Sequence, residues 1–186
     1  MHYAMKKKLL KANPALYLDG EFAAPETSHY PALSLDKLPE LLTRTDSYCG
    51  RLLTKYALKL SLIFFVRSSE LRFARWSEID WQQKLWVIPE EREQIENVRF
   101  SYRGAKMKIQ HIVPLSDQAI AILKQIEALS GHLAFIFPGE YDQDKCMSDN
   151  TVNKALRVMG YDTKKDICGH GFRAMACSAL SESGLW

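Results

Sequence analysis

The chain has 186 residues, of which 47% are hydrophobic and 25% charged. This is the balance of an ordinary globular domain, and it excludes a disordered or fibrous protein. A formal net charge of +3 permits a nucleic-acid partner without demanding one.

The opening segment, HYAMKKKLLKANPA, reads as the last turns of a helix that stops before Asn13-Pro14, because proline disfavours helical backbone in the residue before it. It has lysines but no apolar segment behind them, so no signal peptide is expected. Residues 15–31, with Gly20, Pro25 and Pro31, lack helical or strand periodicity and read as a linker. The short piece before them has no core of its own and reads as the end of a preceding domain.

Leu35 to about Tyr48 is predicted helical, with Leu38, Leu41 and Leu42 on one face and Pro39 tolerated in the first turn. Arg51 to Val66 is apolar nearly all round, the pattern of a central buried helix. Its ALKLSLIFFV run is interrupted by Lys59 and Ser61 and is far below the roughly 20 residues of a membrane span. A short helix is predicted over 69–75. The period then changes. WSEIDWQQKLWVIP holds two aromatic and β-branched runs around Gln82-Gln83-Lys84, which predicts a β-hairpin. HIVPL, from His111, is the third strand. Between strands two and three lies EEREQIENVRFSYRGAKMKIQ, acidic first and then basic. A loop of that length in a compact domain is usually functional or mobile.

Helices then return. Ser116 is placed to cap one that Gly131 stops, and Ser148 to cap another that Gly160 stops. The last helix is predicted from near His170 to Ser183, with Gly184 as its stop. The fold class is therefore α+β, mainly helical with a small antiparallel three-stranded β-sheet. Four cysteines, Cys49, Cys146, Cys168 and Cys177, form no CxxC pair. A zinc site from Cys168, His170 and Cys177 is conceivable, but reduced thiols buried as small hydrophobes are the stronger reading, and no metal is expected.

Several cationic features draw notice. Arg67 lies where the apolar helix gives way to SSEL. Lys106 lies in the basic half of the long loop, with Arg103 and Lys108 beside it. His170 and Arg173 are three apart in GHGFRAMA, hence neighbours on one helix side. A helix N-terminus favours an anion. Each feature alone has a plainer explanation. Arg67 pairs with Glu70, Lys106 is a solvated lysine, His170 caps a helix, and Arg173 snorkels from an apolar face. HxxR by itself is a weak pattern, compatible with a generic helical protein.

Order and context change the weighting. RSSEL, then KMKIQHIVPLS, then GHGFRAMA occur in sequence. With MSDNTVNKALRVMGYDTKKDI leading into the last, the chain resembles the catalytic domain of the tyrosine recombinases, specifically phage and genomic-island integrases. In that family an R-x-G-E-L motif is followed by a β-hairpin lysine and then by H-x-x-R. The resemblance implies catalytic roles for Arg67, Lys106, His170 and Arg173, and DNA contacts from Arg67, Arg173, Arg103 and Lys108. Lys108 competes with Lys106 for the lysine role, and Ser69 stands where the family commonly has glycine. It also implies the end of a core-binding domain at 1–14, a linker at 15–33 and the catalytic domain at 34–186. The expected partners are double-stranded DNA and other recombinase protomers, with no cofactor, no small-molecule substrate, no membrane, and a cytoplasmic location. The implied activity is site-specific integration by cleavage and rejoining of DNA through a phosphotyrosine. No tyrosine follows Tyr161, so the chain is expected to be a fragment lacking the nucleophile and inactive alone for covalent cleavage. The alternative is a non-catalytic DNA-binding module that keeps the integrase fold.

Overall fold

The computed structural model describes residues 2–14, 30–105 and 109–184. The first helix, α1, spans only His2–Lys6. It is shorter than the sequence suggests: Lys8 turns left-handed at φ 56°, and the exposed lysines around it bury nothing that would hold further turns. Of the predicted linker, residues 15–29 lie outside the described residues. Residues 30–34 form neither helix nor strand and lead, through an extended Ser34, into a 3-10 turn at Leu35–Lys37 and helix α2 at Leu38–Asp46. Pro39 sits in the first turn of α2, where its missing N–H costs no hydrogen bond.

Helix α3, Leu52–Phe64, is the central element. Ala57, Leu58 and Leu60 are fully buried, and the helix touches α2, α4, α5, α6 and α7. It ends at Phe65, a non-glycine residue at φ 50° in the left-handed region. Helix α4 follows at Ser68–Arg72, starting one residue and ending three residues earlier than predicted. Phe73 at φ −92° and ψ 4° ends it, and its ring is buried in a cluster with Ile95, Phe135 and Cys146.

The sheet is antiparallel in the order β1 (Ile79–Asp80), β2 (Leu85–Ile88), β3 (His111–Pro114). Ile79 faces Trp86, and Trp86 faces Val113, so one face carries these three buried side chains. The hairpin turn is set by Asp80 Oδ1, which accepts from the N–H of Gln82 at 3.0 Å and of Gln83 at 2.8 Å.

Helix α5, Asp117–Ser130, starts as expected: Ser116 Oγ accepts from the N–H of Ala119 at 3.2 Å. Helix α6, Thr151–Val158, does not. Asn150 occupies its N-cap position without a side-chain cap bond. Ser148 Oγ instead accepts from Asn150 N at 3.4 Å, and its carbonyl accepts from Thr151 N at 3.1 Å, so Ser148 organises the preceding turn. Gly160, at φ 92°, closes α6, and the Tyr161 N–H returns to the Leu156 carbonyl at 3.1 Å. Helix α7, Gly171–Glu182, ends near Gly184 at φ 67°, the predicted stop.

Described residues of the segment between β2 and β3 are folded rather than extended into solvent. Arg92 N donates to Tyr102 O at 2.8 Å, Ala105 N donates to Pro89 O at 2.8 Å, and Ile95 N donates to Ser101 Oγ at 2.7 Å. Gly104 permits this closure, since a Cβ there would lie 1.9 Å from Pro89 O.

Candidate anion site at the α3–α4 junction

The site begins with the way α3 stops. The left-handed Phe65 reverses the chain, and Arg67 follows in extended conformation at φ −67° and ψ 146° as the residue that caps α4. Glu70, 1% exposed, closes the turn. Its Oε2 accepts from the backbone N–H of Arg67 at 2.9 Å, and its Oε1 from Arg67 Nη1 at 3.0 Å. The simple pairing expected of R-x-x-E is thus present. It engages one guanidinium nitrogen, and 29% of the Arg67 side chain remains exposed.

Arg173 reaches the same junction from the first turn of α7. Its Nη1 donates to the carbonyl of Phe65 at 3.2 Å, two residues before Arg67 and 108 positions away along the chain. The H-x-x-R arginine therefore reaches the main chain two residues ahead of the R-x-x-E-L arginine, although it lines neither of the two spaces described below.

Arg67 lines a cavity of about 460 Å³ with Ser69, Glu70, Glu90, Glu91 and Arg103, among others. The Arg103 guanidinium lies 4.0 Å from the centre of the Phe100 ring and 6.0 Å from that of Tyr102, a cation–π arrangement that steadies it. Two arginines stand against three glutamates here, so the cavity carries no excess of positive charge, and any anion would be held by individual guanidinium donors. Ala105 also lines it, directly before Lys106 in the sequence. Lys106 and Lys108 themselves lie outside the described residues.

His170 takes the N-cap position of α7 and lines a neighbouring groove of about 220 Å³ with Ser69, Arg72, Ser148 and Asn153. Ser69 lines both spaces, so His170 and Arg67 flank α4. Asn153 Oδ1 accepts from the N–H of Gly169 at 2.9 Å and fixes the turn into GHGFR. Among the described residues no group of three or more His, Cys, Asp or Glu side chains is placed to hold a metal ion. The four cysteines are free thiols, Cys146 and Cys168 buried, Cys49 and Cys177 exposed. Burial pushes the Cys146 thiol above its ordinary pKa.

Sequence reasoning missed a buried support under this site. Arg92 Nε and Nη2 donate to Glu78 Oε1 at 2.7 Å and Oε2 at 2.8 Å. Trp86 Nε1 donates to the same carboxylate at 2.9 Å, and Arg92 Nη2 also points to the Glu70 carbonyl at 3.4 Å. The side chains of Arg92 and Glu78 are 2% and 6% exposed. This bidentate pair ties the β2–β3 segment to the turn that presents Arg67. Nothing in the spacing of Glu78 and Arg92 announces it.

Helices packed round a three-stranded antiparallel sheet, with these two arginines at one junction, make the fold of tyrosine recombinase catalytic domains. Among solved structures it is shared with the Tn1549 transposon integrase in complex with transposon right end DNA, at a TM-score of 0.73 and 13% identity over 98% of this chain and 63% of that one. It is shared also with a lambda integrase dimer bound to a COC′ core site, at a TM-score of 0.64 and 15% identity over 98% of this chain and 49% of that one. The phage integrase family model matches residues 31–185, and the chain belongs to that family. It is 58% identical over 186 residues to the protein IntB of Escherichia coli (strain K12) and 55% identical to the integrase of Enterobacteria phage P4. It spans 47% and 42% of their lengths, less than half of each.

Proposed function

We propose that this chain is the phosphate-gripping part of a site-specific DNA recombinase of the integrase type. The observation that carries the proposal is the meeting of Arg173 with the Phe65 carbonyl beside Arg67. In strand transfer a tyrosine oxygen attacks a DNA phosphorus, the 5′-oxygen leaves, and a different 5′-hydroxyl later reverses the step. The protein–DNA phosphodiester conserves the bond, so no high-energy cofactor is needed. Charge builds on the two non-bridging oxygens, and preorganised cations aimed at them stabilise the transition state. Arginine suits this task because its planar fork donates parallel hydrogen bonds and stays charged.

In this scheme Arg67 and Arg173 hold the scissile phosphate, and His170 donates to one of its oxygens. Lys106 protonates the leaving 5′-oxygen, with Lys108 its competitor for that role. Arg103 and Lys108 contact the flanking backbone. Glu70 orients Arg67. The partners are double-stranded DNA and further protomers, and the work is cytoplasmic. Residues 1–14 end a core-binding domain, 15–33 link it, and 34–186 form the catalytic part.

With no tyrosine after Tyr161, the 186 residues alone bind DNA without forming a covalent adduct. The second reading is a DNA-binding module that retains the fold. A suicide DNA substrate separates the two. The test protein is the chain supplied with the remaining segments of phage P4 integrase. Covalent adduct formation that is lost in Arg173→Ala supports the recombinase; tight binding with no adduct supports the module.

A further inference from the structure

We infer that Tyr30 is a positioning residue for His170, a role that rests on the phosphate-site reading above and deepens it. The rings of Tyr30 and His170 stack at 4.7 Å between centroids with 20° between planes. Both side chains are exposed, so no surrounding wall fixes the imidazole. What brings Tyr30 there is the course of residues 30–33 across the start of α7. The N–H of Cys168 donates to the Pro31 carbonyl at 3.3 Å. Gly171 is buried beneath the same segment. A Cβ on Gly171 would lie 2.1 Å from Pro31 O and 3.2 Å from Ala32 Cα, so only glycine allows the approach. Leu33 and Leu35 then anchor the segment to the core.

The segment is thus held by one hydrogen bond, one glycine contact and two apolar anchors, and Tyr30 lands on the imidazole as the outcome. An exposed histidine otherwise samples several rotamers. Offset aromatic stacking selects one of them, with the ring left along the groove that holds Ser69 and Arg72. A donor already oriented when phosphate arrives loses less freedom on binding.

The test uses this chain with 13C-labelled histidine and inorganic phosphate as the probe. His170→Ala assigns the signal among the five histidines. Tyr30→Ala is expected to remove the upfield ring-current displacement of the His170 ring protons and to weaken phosphate binding about two- to tenfold. Tyr30→Phe keeps both. Gly171→Ala, with Tyr30 intact, is expected to lose the displacement because Pro31 must move. Wild-type His170 signals in Tyr30→Ala, or a Tyr30→Phe that behaves like Tyr30→Ala, would overturn the assignment. Phosphate binding indifferent to Arg67→Lys and Arg173→Ala sinks the phosphate-site reading instead, while the ring-current result still decides for or against Tyr30.

Discussion

The carboxylate of Glu70 serves the Arg67 main chain and the Arg67 side chain at once, which makes Arg67 an awkward residue to truncate. Arg67→Ala leaves a buried carboxylate with half its partners gone, a loss of about 1–3 kcal/mol in addition to any effect on chemistry. Arg173 is different: its side chain is exposed and its recorded partner is a carbonyl. Arg173→Ala is therefore expected to change unfolding free energy by less than about 0.5 kcal/mol while lowering strand-transfer rate about 10²–10³-fold. Thermal melts and a suicide-substrate assay on the phage P4 chimera measure the two. At this scale Arg67, His170 and Arg173 stand out in the sequence as candidates because their order along the chain matches a known pattern. Tyr30 was not, because one aromatic in a proline-rich stretch has no periodicity to read. The Glu78–Arg92 pair was not, because it joins residues 14 apart across a turn and a hairpin whose path no spacing rule supplies.

Elements were legible where the hydrophobic period was strong and the cap chemistry was local. Helix α3 follows from its apolar pattern, and α5 from Ser116. Ser148 misled because a serine can serve a turn as well as a helix, and only the φ/ψ of 149 and 150 decides which. The β2–β3 segment, read only as a long charged loop that is functional or mobile, gave no sign that Arg92 goes to the interior. Arg92→Met is expected to leave the Glu78 carboxylate buried without its counter-charge, held only by the Trp86 N–H, at a cost of about 3–5 kcal/mol. The double variant Glu78→Gln with Arg92→Met should recover part of that, and urea unfolding of the three proteins checks it. Between α2 and α3, Lys59 Nζ lies 2.6 Å from Asp46 Oδ1. The Lys59 hydrogen bond, with help from the charges of Lys59 and Lys55 and against some desolvation, holds the Asp46 carboxyl below its ordinary pKa. A depressed folded pKa contributes stability above the unfolded value of about 3.9. That contribution is lost as pH falls through the lower folded value. The pair is solvent-exposed, so Asp46→Asn is expected to cost under about 1 kcal/mol at neutral pH, and the difference from wild type should shrink and vanish in melts run at successively lower pH, as the carboxyl protonates in the folded state.

For the whole molecule, the net charge of +3 says little about where an anion settles. The cavity beside Arg67 carries Glu90 and Glu91 on its wall, and their charge opposes an incoming phosphate. Glu90→Gln with Glu91→Gln is expected to tighten binding of a DNA duplex by about fivefold or less at low salt, with the gain shrinking as salt rises. Arg103→Ala should do the reverse and reduce the slope of log affinity against log salt by about 1. Fluorescence anisotropy across a salt series measures both. The global arrangement, helices on a three-stranded sheet, was readable from the change of period near Trp76. The acidic wall was not, because it depends on how the β2–β3 segment folds back through Gly104.

The left-handed turn at Phe65 has one more consequence. It presents a main-chain oxygen on which a single N–H of Arg173 rests, and a guanidinium has five such hydrogens. The group is tethered by one and still offers a face of several to a visitor. Lysine has charge enough but no rigid fan of donors, so it would have to choose between tether and visitor. Arg173→Lys should then fail in strand transfer almost as fully as Arg173→Ala, although the formal charge is unchanged.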